Sequence, residues 1–290
     1  MRVTEFAPAK INLALHVIGQ RHDGFHLLDS LVAFASIGDM LQAEVADAVS
    51  LALEGPFGAD ISPDADNLVL RAARAVEPDC AMAFILQKNL PPASGIGGGS
   101  ADAAAAIRAV GRLKRRQKPD VTGRDENLAL YAALGADVPV CVLSQPARMR
   151  GIGEQVSVLP SFPGASVVLI NPRVEVPTPA VFRALQTKDN PPLPETLPDW
   201  PDPLALADWL MHQRNDLQTP ALGIAPVIGR VLNDLAVQPG VLLARMSGSG
   251  ATCFGLFADA ASATEAVRRL GADRPQWWVA GGTLSPRTPT

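Results

Sequence analysis

The stretch Pro91-Pro92-Ala93-Ser94-Gly95-Ile96-Gly97-Gly98-Gly99-Ser100-Ala101-Asp102 runs straight into Ala103 to Ala106, so a glycine-rich turn abuts strong helix formers. Backbone N–H groups in such a turn can converge on one point, and a helix starting there adds the positive end of its dipole; both favour an anion such as phosphate. A mobile surface loop ahead of an ordinary helix has the same composition, and glycine content does not separate the two. A Walker loop requires Gly-Lys-Ser/Thr at its end, and here Gly99 is followed by Ser100 with no lysine. A Rossmann fingerprint requires Gly-x-Gly-x-x-Gly in a tight turn directly after a strand, whereas Gly95 and Gly97 lead to Ser100, and Pro91 to Ala93 lengthen the connection. Asp120 lies near the distance at which that fingerprint has its acidic residue, but it follows the polar run Arg112 to Lys118 rather than a second strand.

Other residues could act on such an anion or on its reaction partner. Lys10 and Asn12 lie two apart in the alternating run Lys10 to Val17, so they share one strand face with Ala14 and His16, opposite Ile11, Leu13, Leu15 and Val17. Lys10 and Asn12 can then address the same ligand, although an antiparallel strand with one solvated face shows the same alternation. Asp137 lies in Gly135-Ala136-Asp137-Val138-Pro139, where Gly135 can close a helix in the left-handed region and Pro139 biases Val138 toward an extended backbone. A carboxylate on so restricted a segment suits catalysis; the alternative is an ordinary loop aspartate. Phe25 and His26 follow the turn Gly19 to Gly24 and could stack on and hydrogen-bond a planar base, or be a packed ring and a surface histidine.

The elements that must position these groups can be read around them. Asp23-Gly24 between apolar segments predicts a hairpin after the strand at 10–17. A helix is predicted over 67–76, capped by Asp66 or Asn67, and a strand over 82–86 leads into the glycine turn. The helix after that turn carries Ala103, Ala106, Ile107, Val110 and Leu113 at helical spacing. Asp102 in its first turn and Arg112, Lys114, Arg115, Arg116 and Lys118 near its end complement its dipole before Pro119 stops it. That basic run therefore needs no nucleic acid to explain it. A further helix is predicted over 127–134. In the second half, 167–170 reads as a buried strand, 204–213, 224–235 and 260–270 as helices, and 277–279 as a strand, with an extended proline-rich connection from Asn190 to Pro203. Met246 to Ala251 reads as a tight hairpin between apolar strands. The mixture is α+β.

With 290 residues and 48% hydrophobic content the chain can bury a substantial core in one large or two ordinary domains. A net charge of -4 argues against a general nucleic-acid binder, so an anionic ligand must be held by local groups. Cys80, Cys141 and Cys253 are odd in number and far apart, which argues against a disulfide framework or a structural zinc site and for a reducing compartment. With neither a signal-like N-terminal segment nor an apolar run of bilayer length, the expectation is a cytoplasmic protein with no membrane partner.

Three segments, Pro8-Ala9-Lys10-Ile11-Asn12-Leu13, Pro91 to Ala106, and Met246-Ser247-Gly248-Ser249-Gly250-Ala251-Thr252-Cys253-Phe254-Gly255, resemble in order and position the three motifs of the GHMP small-molecule kinases. Within that family, Asp23-Gly24-Phe25-His26, Gly135-Ala136-Asp137-Val138-Pro139 and Gly151-Ile152-Gly153-Glu154 look most like the branch that phosphorylates a cytidine-diphosphate methylerythritol on the non-mevalonate route to isoprenoid precursors. The resemblance spans nearly the whole chain. It implies a two-domain architecture, an N-terminal domain over 1–155 like the second domain of a ribosomal small-subunit protein and a ferredoxin-like C-terminal domain over 156–290, with the active cleft between the halves. It also implies ATP-dependent phosphoryl transfer to the 2-hydroxyl of the methylerythritol portion, with ATP and Mg2+ required and the chain acting as a monomer or weak homodimer.

By the same resemblance Asp137 is the base that takes the hydroxyl proton, with Lys10 assisting. Pro91, Ser94, Gly95, Ile96, Gly97, Gly98, Gly99, Ser100 and Ala101 bind ATP, and Ser100 is the candidate metal contact. Asn12 faces the acceptor, His26 reads the cytosine edge, Phe25 stacks on its face, and Thr178 and Phe182 complete the cytidine pocket. Departures from the family pattern are Phe25, where relatives often have tyrosine, Ala101 where a second serine is frequent, and Ser144-Gln145-Pro146-Ala147 where a His-Gly segment is common. Two alternatives stand beside this reading: a GHMP kinase for another small alcohol such as homoserine or mevalonate, which would lack the cytidine pocket, and a non-enzymatic binding protein, which would lack a competent Lys10–Asp137 pair.

Overall fold

The computed structural model of the chain describes residues 1–114 and 128–284. The predicted helix end at Pro119, with Arg115, Arg116 and Lys118, lies outside the described residues, as do Asp120 and the first residue of the helix predicted over 127–134. The contacts divide the chain into two compact units, one of residues 1–10, 38–92 and 97–144, the other of residues 11–37, 93–96 and 145 onward.

The strands β1 (Arg2–Gln20) and β2 (His26–Val45) pair with each other and each contributes to both units. They are far longer than the alternating run around Lys10 indicated. Lys10, Asn12, Ala14 and His16 are as buried as Ile11, Leu13, Leu15 and Val17, so the strand has no solvated face there.

In the first unit, β2 pairs antiparallel with β4 (Met82–Gln87), and β4 pairs in parallel with β3 (Ser50–Glu54). The unit's helices are α1 (Leu68–Val76), which packs against β3, and α2 (Gly98–Leu113), α3 (Leu128–Leu134) and α4 (Val138–Leu143), which pack with α1 or with one another. Asn67 caps α1 by accepting from the Val69 amide at 3.0 Å. Ala101, Ala103 to Ala106, Ile107, Ala109 and Val110 of α2 are all buried, and α2 packs against both α1 and α4. Alanine on so many sides lets neighbouring helices approach closely without loss of helix propensity.

The segment before Pro139 departs from expectation. Val138 is not extended; it opens α4, with Asp137 at the N-cap and Pro139 in the first turn. Proline there forfeits no intrahelical hydrogen bond, since the first amides of a helix have no partner within it. Burial of Val138, Val140, Cys141 and Val142 and a 2.9 Å hydrogen bond from the Val138 amide to Gly135 O outweigh the local bias of a residue before proline.

In the second unit, β2 pairs with β5 (Ala147–Gly151), and β5 with β6 (Gln155–Val158). The fully buried β7 (Ala165–Asn171) is followed by α5 (Thr178–Arg183), α6 (Pro203–Met211), α7 (Gln218–Ile224) and α8 (Val227–Ala236). The helix predicted over 224–235 is α8, which begins at Val227 because Pro226 separates it from α7; α7, ending at Ile224, had no counterpart in the sequence reading. The strands β8 (Val241–Met246) and β9 (Cys253–Phe257) form the hairpin read from Met246 to Ala251, and α9 (Ala260–Asp273) leads to β10 (Trp278–Leu284). Antiparallel pairing places β7 between β9 and β10. Val168, Ile170, Leu217, Ile228, Val231, Leu235, Phe257 and Leu270 form the heart of this unit's core. Each such side chain contributes about 1.5–3 kcal/mol on burial. Among the described residues no helix is long and apolar enough to cross a membrane.

Candidate active site

In the first unit the glycine turn meets Lys10 and Asp137. Gly97 is the N-cap of α2 at φ 65°, a left-handed conformation natural to glycine, and no side chain caps the helix. The first intrahelical bond at this end is donated by the Ala101 amide to Gly97 O at 2.8 Å. The amides ahead of it, from Gly97 to Ser100, are those that a helix leaves without an intrahelical partner. An ideal Cβ on Gly97 would lie 3.2 Å from Lys10 Cβ and 3.5 Å from Lys10 Cε. The Lys10 side chain therefore runs along the turn, and its Nζ donates to Asp137 Oδ2 at 2.6 Å. Lys10 is buried while the Asp137 side chain is 33% exposed, so this carboxylate combines a fixed cation with open access. Ser100 Oγ lies 3.8 Å from the position a Cβ on Gly135 would take, which brings the first turn of α2 close to the Asp137 segment.

Arg108, in α2, holds this arrangement from behind. Its guanidinium donates to Glu5 Oε2 at 3.0 Å, Phe6 O at 2.6 Å and Cys141 O at 3.0 Å, so one side chain ties the strand bearing Lys10 to the helix capped by Asp137. Beneath the turn Lys88 Nζ bridges Asp39 Oδ2 at 2.5 Å and Asp102 Oδ2 at 2.7 Å. Burial opposes the Lys88 charge, but the two carboxylates outweigh it and raise its pKa; burial pushes the Asp102 carboxyl up. Asp39 and Lys88 stand far apart in the sequence and belong to no motif there, and the position of Asp102 signals only a complement to the helix dipole.

In the second unit, residues 93–96 are fastened to the turn between β8 and β9. The Thr252 amide donates to Ser94 O at 3.1 Å and Ser247 Oγ to Gly95 O at 3.1 Å. Ser247 Oγ also accepts from the Asn12 amide at 3.0 Å. The turn itself is held by Asn215, whose Nδ2 donates to Met246 O and Gly248 O, both at 2.8 Å. Asn215 carried no motif signal in the sequence. The Asn12 amide group donates to Ser30 Oγ at 2.8 Å, which leaves Asn12 Oδ1 buried without a partner.

His26 stacks on Phe182, with ring centroids 4.7 Å apart and planes at 26°. Phe25, by contrast, is 58% exposed, so the aromatic partner of His26 is Phe182 from α5. Burial and then the Lys188 charge lower the His26 pKa, and its Nε2 is buried without a hydrogen-bond partner. A neutral imidazole with one unpaired nitrogen can exchange a hydrogen bond with a polar ring edge. Thr178, four residues before Phe182 on the same helix, shares a 2.7 Å hydrogen bond with Ser249 Oγ. Among the described residues there is no cluster of three or more metal-ligating side chains.

The Lys10–Asp137 pair lies beside a glycine turn that no side chain caps, and comparison with known proteins gives the chain a family. Residues 67–145 match the GHMP kinase N-terminal domain and residues 197–275 the GHMP kinase C-terminal domain. A protein of Cereibacter sphaeroides named 4-diphosphocytidyl-2-C-methyl-D-erythritol kinase is 55% identical over 95% of this chain and 96% of its own. The chain belongs to the GHMP kinases. The crystal structure of a 4-(cytidine 5'-diphospho)-2C-methyl-D-erythritol kinase matches with a TM-score of 0.76 and 32% identity over 98% of this chain and 99% of that one. A homoserine kinase structure from Cytophaga hutchinsonii, at 20% identity and a TM-score of 0.67 over 98% of this chain and 94% of that one, shares the fold. The two-domain α+β GHMP kinase fold expected from the motifs is the fold of this chain.

Proposed function

We propose that this GHMP kinase transfers the γ-phosphoryl group of ATP to the 2-hydroxyl of 4-diphosphocytidyl-2-C-methyl-D-erythritol, a step of the non-mevalonate route to isoprenoid precursors. The observation that carries the reading is the 2.6 Å bond from Lys10 Nζ to Asp137 Oδ2 beside Gly97. Asp137 Oδ2 is engaged by the ammonium, which leaves Oδ1 to take the acceptor proton. As the acceptor oxygen bonds to the γ-phosphorus, the bond from that phosphorus to the β,γ-bridging oxygen breaks and ADP leaves with the electron pair. Lys10 orients the base and offsets charge on the transferring group.

The glycine turn fits a triphosphate. Gly95 and Gly97 hold left-handed backbone, and a Cβ at Gly95 would fall 2.6 Å from Ser247 O, so a side chain has no room there. Pro91, Ser94, Gly95, Ile96, Gly97, Gly98, Gly99, Ser100 and Ala101 are assigned to ATP, their backbone being the part that meets phosphate. Magnesium, when bound with the nucleotide, supplies counter-charge; the Ser100 hydroxyl is the hard oxygen donor assigned to it, which suits an ion ligated mainly by phosphate and water. Asn12, with its unpaired Oδ1, is assigned to the acceptor, and His26, Phe25, Phe182 and Thr178 to the cytidine portion. The sequence-level division at 155/156 is retained as the boundary between the two kinase domains, with a monomer or weak homodimer as the working assembly.

The test is magnesium-dependent ADP release with the cytidylylated substrate, homoserine and mevalonate in parallel, with the product examined by phosphorus NMR. Turnover with the cytidylylated substrate alone and a new phosphomonoester on its tertiary carbon are expected. Turnover with homoserine or mevalonate instead would keep the kinase class and remove this acceptor; nucleotide binding without turnover on any alcohol would favour a binding protein.

A further inference from the structure

The cluster of Asp39, Lys88 and Asp102 has no part in the chemistry above, yet it is costly to build. Lys88 and Asp39 are buried to 2% exposure or less, Asp102 to 3%, and the three groups formally carry two negative charges against one positive. Apolar side chains of similar volume would often serve stability as well or better, because desolvating the ions offsets much of their attraction. A structural explanation alone therefore leaves the lysine unaccounted for.

Its placement is specific. Asp39 Oδ1 accepts from the Asn89 amide at 2.5 Å and the Leu90 amide at 2.8 Å, fixing the chain on its way into the turn. Asp39 Oδ2 and Asp102 Oδ2 both take Lys88 Nζ, so the ammonium joins that approach to the first turns of α2. The remaining oxygen, Asp102 Oδ1, is buried with no partner. An ideal Cβ on Gly98 would lie 3.2 Å from Lys88 Nζ. The cation thus sits directly under the backbone whose amides, Gly97 to Ser100, open the helix.

We propose that Lys88, clamped between Asp39 and Asp102, is the positioning residue of the phosphate turn: it sets the first turn of α2 and places a buried positive charge behind the amides that receive the nucleotide's phosphates. This rests on the assignment of that turn to a triphosphate. Lys88 touches no reacting atom and acts through the Gly98 backbone. Asp39 fixes the lysine, while Asp102 holds it at the cost of a negative charge near the bound anion.

The experiment is calorimetric titration of the full chain with three probes, a non-hydrolysable ATP analogue with magnesium, inorganic tripolyphosphate with magnesium, and adenosine, alongside thermal unfolding. The double variant Lys88→Gln/Asp102→Asn removes the ammonium and one carboxylate together. It is expected to bind the analogue and tripolyphosphate at least ~10-fold more weakly, about 1.4 kcal/mol, with adenosine affinity unchanged. A purely structural role would lower the unfolding temperature and weaken all three probes alike, or none. Asp102→Asn alone keeps an acceptor for Lys88 and removes a negative charge, so both phosphate-bearing probes should bind as tightly as to wild type or up to ~3-fold tighter. A folded double variant with wild-type affinity for tripolyphosphate overturns the proposal. If the double variant does not fold, Asp102→Asn decides, and weaker phosphate binding there overturns it. Wild-type protein that binds neither nucleotide nor tripolyphosphate would remove the kinase reading and this inference together, whereas normal wild-type binding with unaffected variants removes only the inference.

Discussion

Replacing Gly95 with alanine puts the glycine turn under a load that can be worked out atom by atom. Gly95 has φ +76°, and a Cβ there would lie 2.6 Å from Ser247 O, 2.7 Å from Gly250 O and 2.8 Å from Gly250 N. All three are backbone atoms and cannot swing aside. The left-handed backbone alone costs an L-residue about 1–2 kcal/mol. Relief of the clash requires residues 94–95 to leave the β8–β9 turn, which forfeits the bonds Ser247 Oγ to Gly95 O and Thr252 N to Ser94 O. Those bonds are worth about 1 kcal/mol each. The expected destabilisation is about 3 kcal/mol, or roughly 6–12 °C in Tm for a chain of this size. Displacement of the turn should also weaken binding of a non-hydrolysable ATP analogue by at least ~10-fold. Gly111→Ala is the control: it lies inside α2, a Cβ there meets nothing within 4 Å, and the helix should gain up to about 1 kcal/mol. Thermal unfolding and calorimetric titration read both quantities. A Gly95→Ala protein with wild-type Tm and wild-type nucleotide affinity would refute the close-approach argument.

Further expectations follow from single side chains. Arg108→Met removes the donors to Glu5, Phe6 O and Cys141 O while Arg112 still pairs with Glu5 at 2.8 Å, so a loss of about 2–4 kcal/mol in urea unfolding is expected, with kcat reduced because α4 carries Asp137. Unchanged stability would show that the guanidinium is not a tie. His16 contacts Pro191 O through Nδ1 at 3.1 Å and accepts from the Arg214 amide through Nε2 at 3.3 Å, an arrangement only the neutral ring satisfies. Burial and then the Arg214 charge lower its pKa below 6.5, so the unfolded chain takes up the proton first. Stability is then present above about pH 6.5 and lost as pH falls toward the folded value. Denaturation series at pH 8 and pH 5.5 should show a smaller loss in His16→Gln than in wild type, and an equal loss would contradict the assignment. Phe182→Ala removes the ring stacked on His26 and should raise KM for the cytidylylated substrate by about 10-fold with KM for ATP unchanged. A shift in KM for ATP instead would place Phe182 in the other subsite.

Much of the local structure around the candidate site was legible because it is written in residues with few other uses. Glycines followed by alanines mark a close-packed helix start, and in the structure Gly97 and the buried face of α2 take those roles. The tight Met246 to Ala251 hairpin was also legible from its glycines and serines. The extent of β1 and β2 was only partly so: Asp29 to Ala35 is buried continuously and shows no alternating burial, whereas Arg2 to Glu5 and Asp39 to Val45 alternate in burial. Helix α4 was obscured by its own composition: Val138, Val140 and Val142 favour strands, and a residue before proline favours extended backbone, so only tertiary burial makes the segment helical. The Asp39–Lys88–Asp102 cluster left no local signal because its members come from β2, the residue just after β4, and α2. A linear division at 155/156 follows the order of motifs, whereas contacts group residues 11–37 and 93–96 with the later chain; β2 pairs there with β5 and β10, and residues 94 and 95 are bonded to Thr252 and Ser247.

The Lys10–Asp137 pair is the centre of the account, and the most direct test is pre-steady-state ADP formation by wild type and Asp137→Asn with saturating magnesium-ATP and 4-diphosphocytidyl-2-C-methyl-D-erythritol. Asparagine keeps the size of the side chain and can still meet Lys10, but it cannot take a proton. A loss in rate of at least ~100-fold with nucleotide affinity unchanged is expected. Wild-type rates in the folded variant would contradict it and remove Asp137 as the base.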